Sequence, residues 1–174
     1  FMNDNGGSTE TVHALNAPFW GHKGTFWEGG IRVPMFVYGL DIVAQDYPHP
    51  VSALDIMPTM MALAGKPFEP ETITTSRGKQ VSVIYDGVDL LPYLQGEMQD
   101  DRPHQQLFWR MMPVGSAMRD GDWKLIFTTF QPPQLYDLVS DPAERNDVAD
   151  ENPAVVTRMM DAHGIWCDSF ESAP

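Results

Sequence analysis

The sequence predicts an α/β body followed by an α+β appendage, and three observations predict it. A short apolar run, Arg32–Tyr38, reads as a buried strand, and a stretch of helical spacing comes after it within Ser52–Gly65. Three apolar or aromatic segments of strand type, QLFWRMM, SAMRDGDWKLIF and QLYDL, then crowd residues 106–138. A capped helical pattern begins at Asn152. Hydrophobic residues make up 43% of the 174, enough for a packed core and too many for a disordered chain.

Each element has a local reason. Phe1-Met2 reads as the end of a buried strand, and Asn3–Ser8 is turn chemistry. Thr9–Thr25 has no sustained period and intersperses Gly, Pro and aromatics, so it reads as a long loop, the kind that usually carries function. Pro34 fits the start of the Arg32–Tyr38 strand, since proline donates nothing to a ladder. In the helix, Ile56, Met60 and Leu63 share a face with Met57, Met61 and Ala64 beside them. Asp55 is its expected N-cap, Pro58 falls in the first turn and Gly65 ends it.

Lys66–Tyr85 is polar and reads as a surface excursion. Asp89 caps a short helix stopped by Gly96, and MQDDRPHQ reads as a linker between a body of residues 1–98 and a subdomain of residues 104–174. In that subdomain Asp120-Gly121 signals a two-residue hairpin. A solvated acidic loop comes next, then a helix with Asn152 as cap and Pro153 at its first position. Val156, Met159, Met160 and either Ile165 or His163 are expected on its inner side.

Composition excludes some functions. The formal net charge of −13 argues against nucleic acid, whose phosphates need basic patches. Any anion site must then be a local concentration of cations. The single cysteine, Cys167, allows no intrachain disulfide. No apolar run reaches membrane-spanning length. A chain opening on Phe1 is expected to have lost its natural N-terminus.

Two short stretches carry chemistry. Asp4 and Asn5 are adjacent oxygen donors, and Gly6-Gly7 lets both face one point. A carboxylate and an amide carbonyl suit Ca²⁺ or Mg²⁺ rather than zinc or copper, but two donors fall short of the roughly six to eight that Ca²⁺ takes. The alternative is an ordinary polar turn, and the spacing of an EF-hand loop does not fit. Lys23 stands between His22 and Gly24 in GHKGT. A P-loop needs Gly before the lysine and Ser or Thr after it, so that motif fails. What remains is a cation in a glycine-flanked loop, able to meet a tetrahedral oxyanion, or else an exposed lysine in a turn.

Taken in series, DNGG, GHKGTFWEGGIRVP, DIMPTMMALAG, DGVDLLPYLQG, AMRDGDWKLI and QLYDLVSDPAERND resemble the C-terminal part of the type I sulfatases, of the alkaline-phosphatase-like superfamily. The resemblance implies that residues 1–98 are a portion of that family's α/β core. It implies that Asp4 and Asn5 help bind a divalent cation, usually Ca²⁺ with Mg²⁺ possible, and that Lys23 contacts the sulfate near the leaving oxygen, with His22 beside it at the substrate. Glu28, Arg32 and the glycines of WEGGIRVP would fix the loop that presents Lys23. The family's nucleophile is a formylglycine made within a Cys-x-Pro-x-Arg-like motif, and the 174 residues contain no such motif. The chain alone is therefore expected to be inactive, the formylglycine and the remaining site residues belonging to a preceding part of the same protein. The implied substrate is a sulfated small molecule or glycan, with Trp109, Arg110 and His104 weighed as sugar contacts against a core aromatic and a surface ion pair. A phosphonate or phosphate monoester hydrolase of the same superfamily, and a non-catalytic packing or binding module, are the alternatives. Exposed sheet edges suggest self-association, and the resemblance favours a periplasmic or secreted location.

Overall fold

The computed structural model describes residues 1–8, 16–39, 41–66, 71–76, 78–83, 86–98 and 100–171. In chain order it holds α1 (Glu28–Ile31), a 3₁₀ turn (Ala53–Asp55), α2 (Ile56–Leu63), β1 (Glu71–Thr74), β2 (Gln80–Val83), α3 (Leu91–Leu94), β3 (Gln106–Met111), β4 (Gly115–Asp120), β5 (Trp123–Thr128), β6 (Gln131–Asp137) and α4 (Pro153–Glu171). It divides into two compact units, Phe1–Phe36 with Gln105–Ala173, and Val37–His104. Mixed helices and small antiparallel sheets agree with the α/β and α+β reading.

The first unit is organised by a four-stranded antiparallel meander, β3-β4-β5-β6. Side chains alternate faces along a strand, and here both faces are buried. Ala117, Ile126 and Tyr136 on one face pack with Phe26 and Leu138, and Trp27, Trp109 and Met111 lie against them. Met118, Leu125 and Leu135 on the other face pack with Met159 of α4. Trp109 thus packs, partly buried, against this core. β6 is an edge strand, which is why it tolerates Pro132 and Pro133. The β4–β5 register pairs Asp120 with Trp123, so the two-residue turn is Gly121-Asp122, one residue beyond the expected pair; Gly121 takes φ +59°.

Helix α4 starts at Pro153, as the Asn-Pro signal indicates. Met159 is buried and His163 stacks edge-on against Phe127 at 4.3 Å. Met160 and Ile165 are exposed, because their positions rotate off the stripe that Met159 and His163 define. The acidic loop before α4 is not wholly solvated: Glu144 within it is 4% exposed.

Residues Arg32–Tyr38 do not form a buried strand. Phe1 and Phe36 exchange backbone hydrogen bonds at 2.9 Å each way, and Met2 bridges Met35, but the contact stops there. Phe36 and Tyr38 are 63% and 98% exposed. One short antiparallel contact cannot bury a run that reads as buried on both faces.

In the second unit Asp55 holds the N-cap position of α2, as expected, but its side chain does not cap that helix. The side-chain cap belongs to the 3₁₀ turn before it: the Ser52 hydroxyl accepts from Leu54 N, and Asp55 occupies the reciprocal position of a capping box, its carboxylate accepting from Ser52 N at 2.7 Å. The polar excursion carries the β1–β2 hairpin. The apolar face of α2 is largely exposed, with Ile56 at 40% and Met60 at 58%.

Candidate functional site

The two stretches that carry chemistry meet at a crossing of glycines in the first unit. Gly6 N donates to Gly30 O at 2.9 Å, and Lys23 N donates to Gly7 O at 3.2 Å. Asn16 ties the same segments through its side chain: Oδ1 accepts from Gly7 N at 2.9 Å, while Nδ2 donates to Gly7 O and Gly21 O at 3.1 and 3.0 Å. The turn carrying Asp4-Asn5 is therefore laced to the loop carrying His22-Lys23.

The glycines are there because nothing larger fits. A Cβ on Gly6 would sit 1.8 Å from Gly29 O, and one on Gly29 would sit 2.5 Å from Trp20 O. A Cβ on Gly30 would meet Thr25 O at 2.4 Å and His22 O at 2.6 Å. Backbone passes against backbone, and a side chain at any of the three would force the segments of this crossing apart.

Within the loop, Gly21 and Gly24 take φ +88° and +84°, the left-handed region that glycine enters without strain. Thr25 closes the turn, its hydroxyl donating to His22 O at 2.7 Å and accepting from His22 N at 3.1 Å. His22 Nδ1 lies 2.8 Å from Lys23 O. A carbonyl only accepts, so Nδ1 carries the proton, and Nε2 can donate to an anion only when the ring is doubly protonated. Lys23 and Asp4 are exposed; Asn5 is half-buried. Among the described residues no group of three or more His, Cys, Asp or Glu could hold a metal. Asp4 and Asn5 are hard oxygen donors on one turn, a fit in kind for part of a Ca²⁺ or Mg²⁺ shell.

Behind the loop lies a charged cluster in which Glu28 and Arg32 are joined by Lys124 and Glu144, two residues that the sequence alone did not single out. Glu28, the first residue of α1, reaches the sheet, where Lys124 Nζ donates to its Oε1 at 2.8 Å. Lys124 also meets Glu144 Oε1 at 2.6 Å, and Glu28 N donates to Glu144 Oε2 at 2.6 Å. Glu28 and Glu144 are each 4% exposed and Lys124 is 0% exposed. Burial pushes the Glu144 carboxyl up, with the Lys124 charge opposing it. Arg32, at the rim, lies 3.7 Å from Glu28 Oε2 and stacks over Phe19 at 4.6 Å. Arg32 and Phe19 line a cleft of about 590 Å³ with Asn16, Ala17, Gly29, Val33 and Pro34; Lys23 is not among its walls.

The sequence held a partial signal. Lys124 has the parity of Ile126 along β5, and that face is apolar, so an inward lysine there demands a buried partner. Glu144 gives no local sign, because its burial depends on contacts with residues far away in the chain. His104 belongs to the second unit, its Nε2 2.8 and 2.9 Å from the two Asp55 carboxylate oxygens. Cys167, on α4, lies 3.7 Å from both ring nitrogens of His163. His13 lies outside the described residues.

Residues 1–66 match the family model described as Sulfatase. The chain is 33% identical over 161 residues to the choline-sulfatase of Rhizobium meliloti (strain 1021), covering 87% of this chain and 29% of that protein. It is 29% identical over 187 residues to the steryl-sulfatase of Homo sapiens, covering 84% of this chain and 30% of that protein. Among solved structures, Ps i-CgsB superposes with a TM-score of 0.76 at 32% identity, covering 95% of this chain and 35% of that one; the same protein has been solved in complex with k-i-k-neocarrahexaose. The chain thus spans about three tenths of the length of the curated relatives it matches.

Proposed function

We propose, with this chain identified as sulfatase-like over most of its length, that the protein it belongs to hydrolyses sulfate monoesters and that Lys23, His22, Asp4 and Asn5 are part of its site. The observation that carries this reading is the hydrogen bond from Lys23 N to Gly7 O. It brings the backbone of the glycine-bracketed loop, at Lys23, against the turn that bears the two hard oxygen donors. Cleavage of a sulfate ester builds negative charge on the departing oxygen and on the sulfuryl oxygens. A fixed cation aimed at that charge lowers the barrier electrostatically.

In this reading the Lys23 ammonium stabilises the leaving oxygen, and His22 stands beside it at the bound anion. Asp4 and Asn5 hold part of a Ca²⁺ shell, with Mg²⁺ as the alternative; when bound, that cation supplies further charge for the sulfate oxygens. The nucleophile is supplied from outside residues 1–174, which contain no Cys-x-Pro-x-Arg element. The similarity to a protein solved with k-i-k-neocarrahexaose supports a sugar as the group that bears the sulfate.

The full-length protein, assayed with an aryl sulfate and with an aryl phosphonate for comparison, tests the reading. Lys23→Ala is expected to lower kcat by about 10²–10³-fold, the effect of removing one preorganised charge-stabilising group. Asp4→Ala is expected to weaken Ca²⁺ binding in calorimetry. Activity within a few-fold of wild type for Lys23→Ala, or faster turnover of the phosphonate than of the sulfate, would reject it.

A further inference from the structure

We propose that Lys124 and Glu144 act as positioning residues: they clamp Glu28 and so set the Lys23 loop against the Asp4-Asn5 turn. This inference rests on the reading of those residues as the reactive site. It names two groups, one on a strand of the C-terminal sheet and one in the loop before α4, that never touch the substrate.

Helix α1 is a single turn of four residues and cannot hold itself; so short a helix is unstable without tertiary support. Phe26 and Trp27 lay apolar area against the sheet, but hydrophobic contact has no direction and does not fix where a turn begins. The charged clamp does. Glu144 Oε2 takes the amide of Glu28, and Lys124 takes its carboxylate, so both the backbone and the side chain of one residue are fixed. Glu144 is itself held at φ +53°, with Asp141 Oδ2 accepting from the next two amides, Arg145 N at 2.7 Å and Asn146 N at 2.8 Å.

The glycine crossing begins at the very next residue. Gly29 N donates to Trp20 O at 2.6 Å, at the start of the Lys23 loop. Gly30 O accepts from Gly6 N at 2.9 Å, next to Asn5. A displacement of Glu28 therefore passes to both halves of the site through backbone in direct contact, with no flexible side chain between to absorb it. Arg32, also on Glu28, completes the cluster: two carboxylates face one buried and one rim cation, so the charges balance.

The test compares Lys124→Met with Lys124→Met/Glu144→Gln in the full-length protein; the double variant removes one charge of each sign. Amide hydrogen exchange of Gly6, Lys23 and Gly29 is the primary readout, because it needs no turnover. The expectation is a rise at these three amides at least about tenfold larger than the rise at Met118 and Leu125 in the sheet, which follow global stability. kcat should fall about tenfold in the Lys124→Met protein, and much less in a Lys23→Ala background, since coupled residues are non-additive. Lys124→Arg should restore both. Unchanged exchange at the three amides, an equal rise throughout the sheet, or full additivity with Lys23→Ala would overturn the proposal. If Lys124→Met does not fold, the double variant carries the same measurements. A wild-type protein without sulfate-ester turnover would reject the proposed function, while the exchange pattern would still decide the clamp.

Discussion

Two buried acidic sites in this chain are held in contrasting ways. Asp55, in the second unit, is 0% exposed and is surrounded by Ser52 N, Val88 N at 2.9 Å and the His104 ring. Glu28 and Glu144, in the first unit, share one lysine and one amide, across separations of 96 and 116 positions along the chain. The first carboxylate is satisfied mainly by backbone donors around a helix start. The second pair depends on a single buried charge. A carboxylate among backbone donors keeps most of its partners when one is lost, whereas a charge cluster that loses its only buried cation keeps an uncompensated repulsion.

The largest expected effect comes from that asymmetry. Lys124→Met leaves Glu28 and Glu144 facing each other with only Arg32 at the rim. It should lower the unfolding free energy by about 3–5 kcal/mol, the usual cost of removing one partner of a buried pair. Asp55→Asn keeps one acceptor oxygen and turns an NH₂ toward groups that donate; it should cost about 1–3 kcal/mol. Denaturant unfolding of the two variants measures both. Equal losses would show that the lysine is not the sole support of its cluster and that the contrast is mistaken.

The same contrast explains what is legible in the sequence. The apolar spacing of α2 is local and places Asp55 at that helix's N-cap, while the capping box of Ser52 and Asp55 belongs to the turn before it. The Asn152-Pro153 signal, also local, places the start of α4. Asp4, Asn5, His22 and Lys23 stand out for the same reason: their glycines mark turns within a few residues. The crossing that joins them does not, since the fit of Gly6 against Gly29 needs two distant segments in contact. Glu144 sits in a stretch so acidic that solvent is the natural reading, and only the long-range arrival of Lys124 makes its burial tolerable. The Arg32–Tyr38 run failed differently: its composition is that of a two-sided buried strand, and the single bridge from Met2 to Met35 cannot supply such a place. Composition states what environment a segment suits, and the partners decide whether it is provided.

A smaller effect separates cap from cluster within the second unit. Ser52→Ala removes the hydroxyl that accepts from Leu54 N but leaves Asp55 its Val88 and His104 partners. It should cost about 1 kcal/mol, the usual value of an N-cap, and less than Asp55→Asn. A thermal or denaturant midpoint for Ser52→Ala lower than that of Asp55→Asn would mean that the capping hydroxyl, not the carboxylate, organises this helix start.

The subtlest test uses pH on the first unit. Burial raises the Glu144 carboxyl above the ordinary range, so the folded protein holds that proton more tightly than the unfolded chain does. A group of this kind favours the folded state fully below its unfolded value, about 4.3 for glutamate. Its contribution then declines as pH rises through the folded value, because over that interval the folded state binds more protons than the unfolded one. The stability of wild type relative to Glu144→Gln should therefore fall as pH increases through and above the usual carboxylate range. His163, pushed down first by burial and then by the Arg110 charge, imposes the opposite slope, but it is present in both proteins and cancels in the difference. Denaturant midpoints of the two proteins, measured in parallel across mildly acidic to neutral pH, give the sign directly. A difference that rises with pH would mean that Lys124 outweighs burial at Glu144, and that the shared lysine stabilises the charged form of both carboxylates.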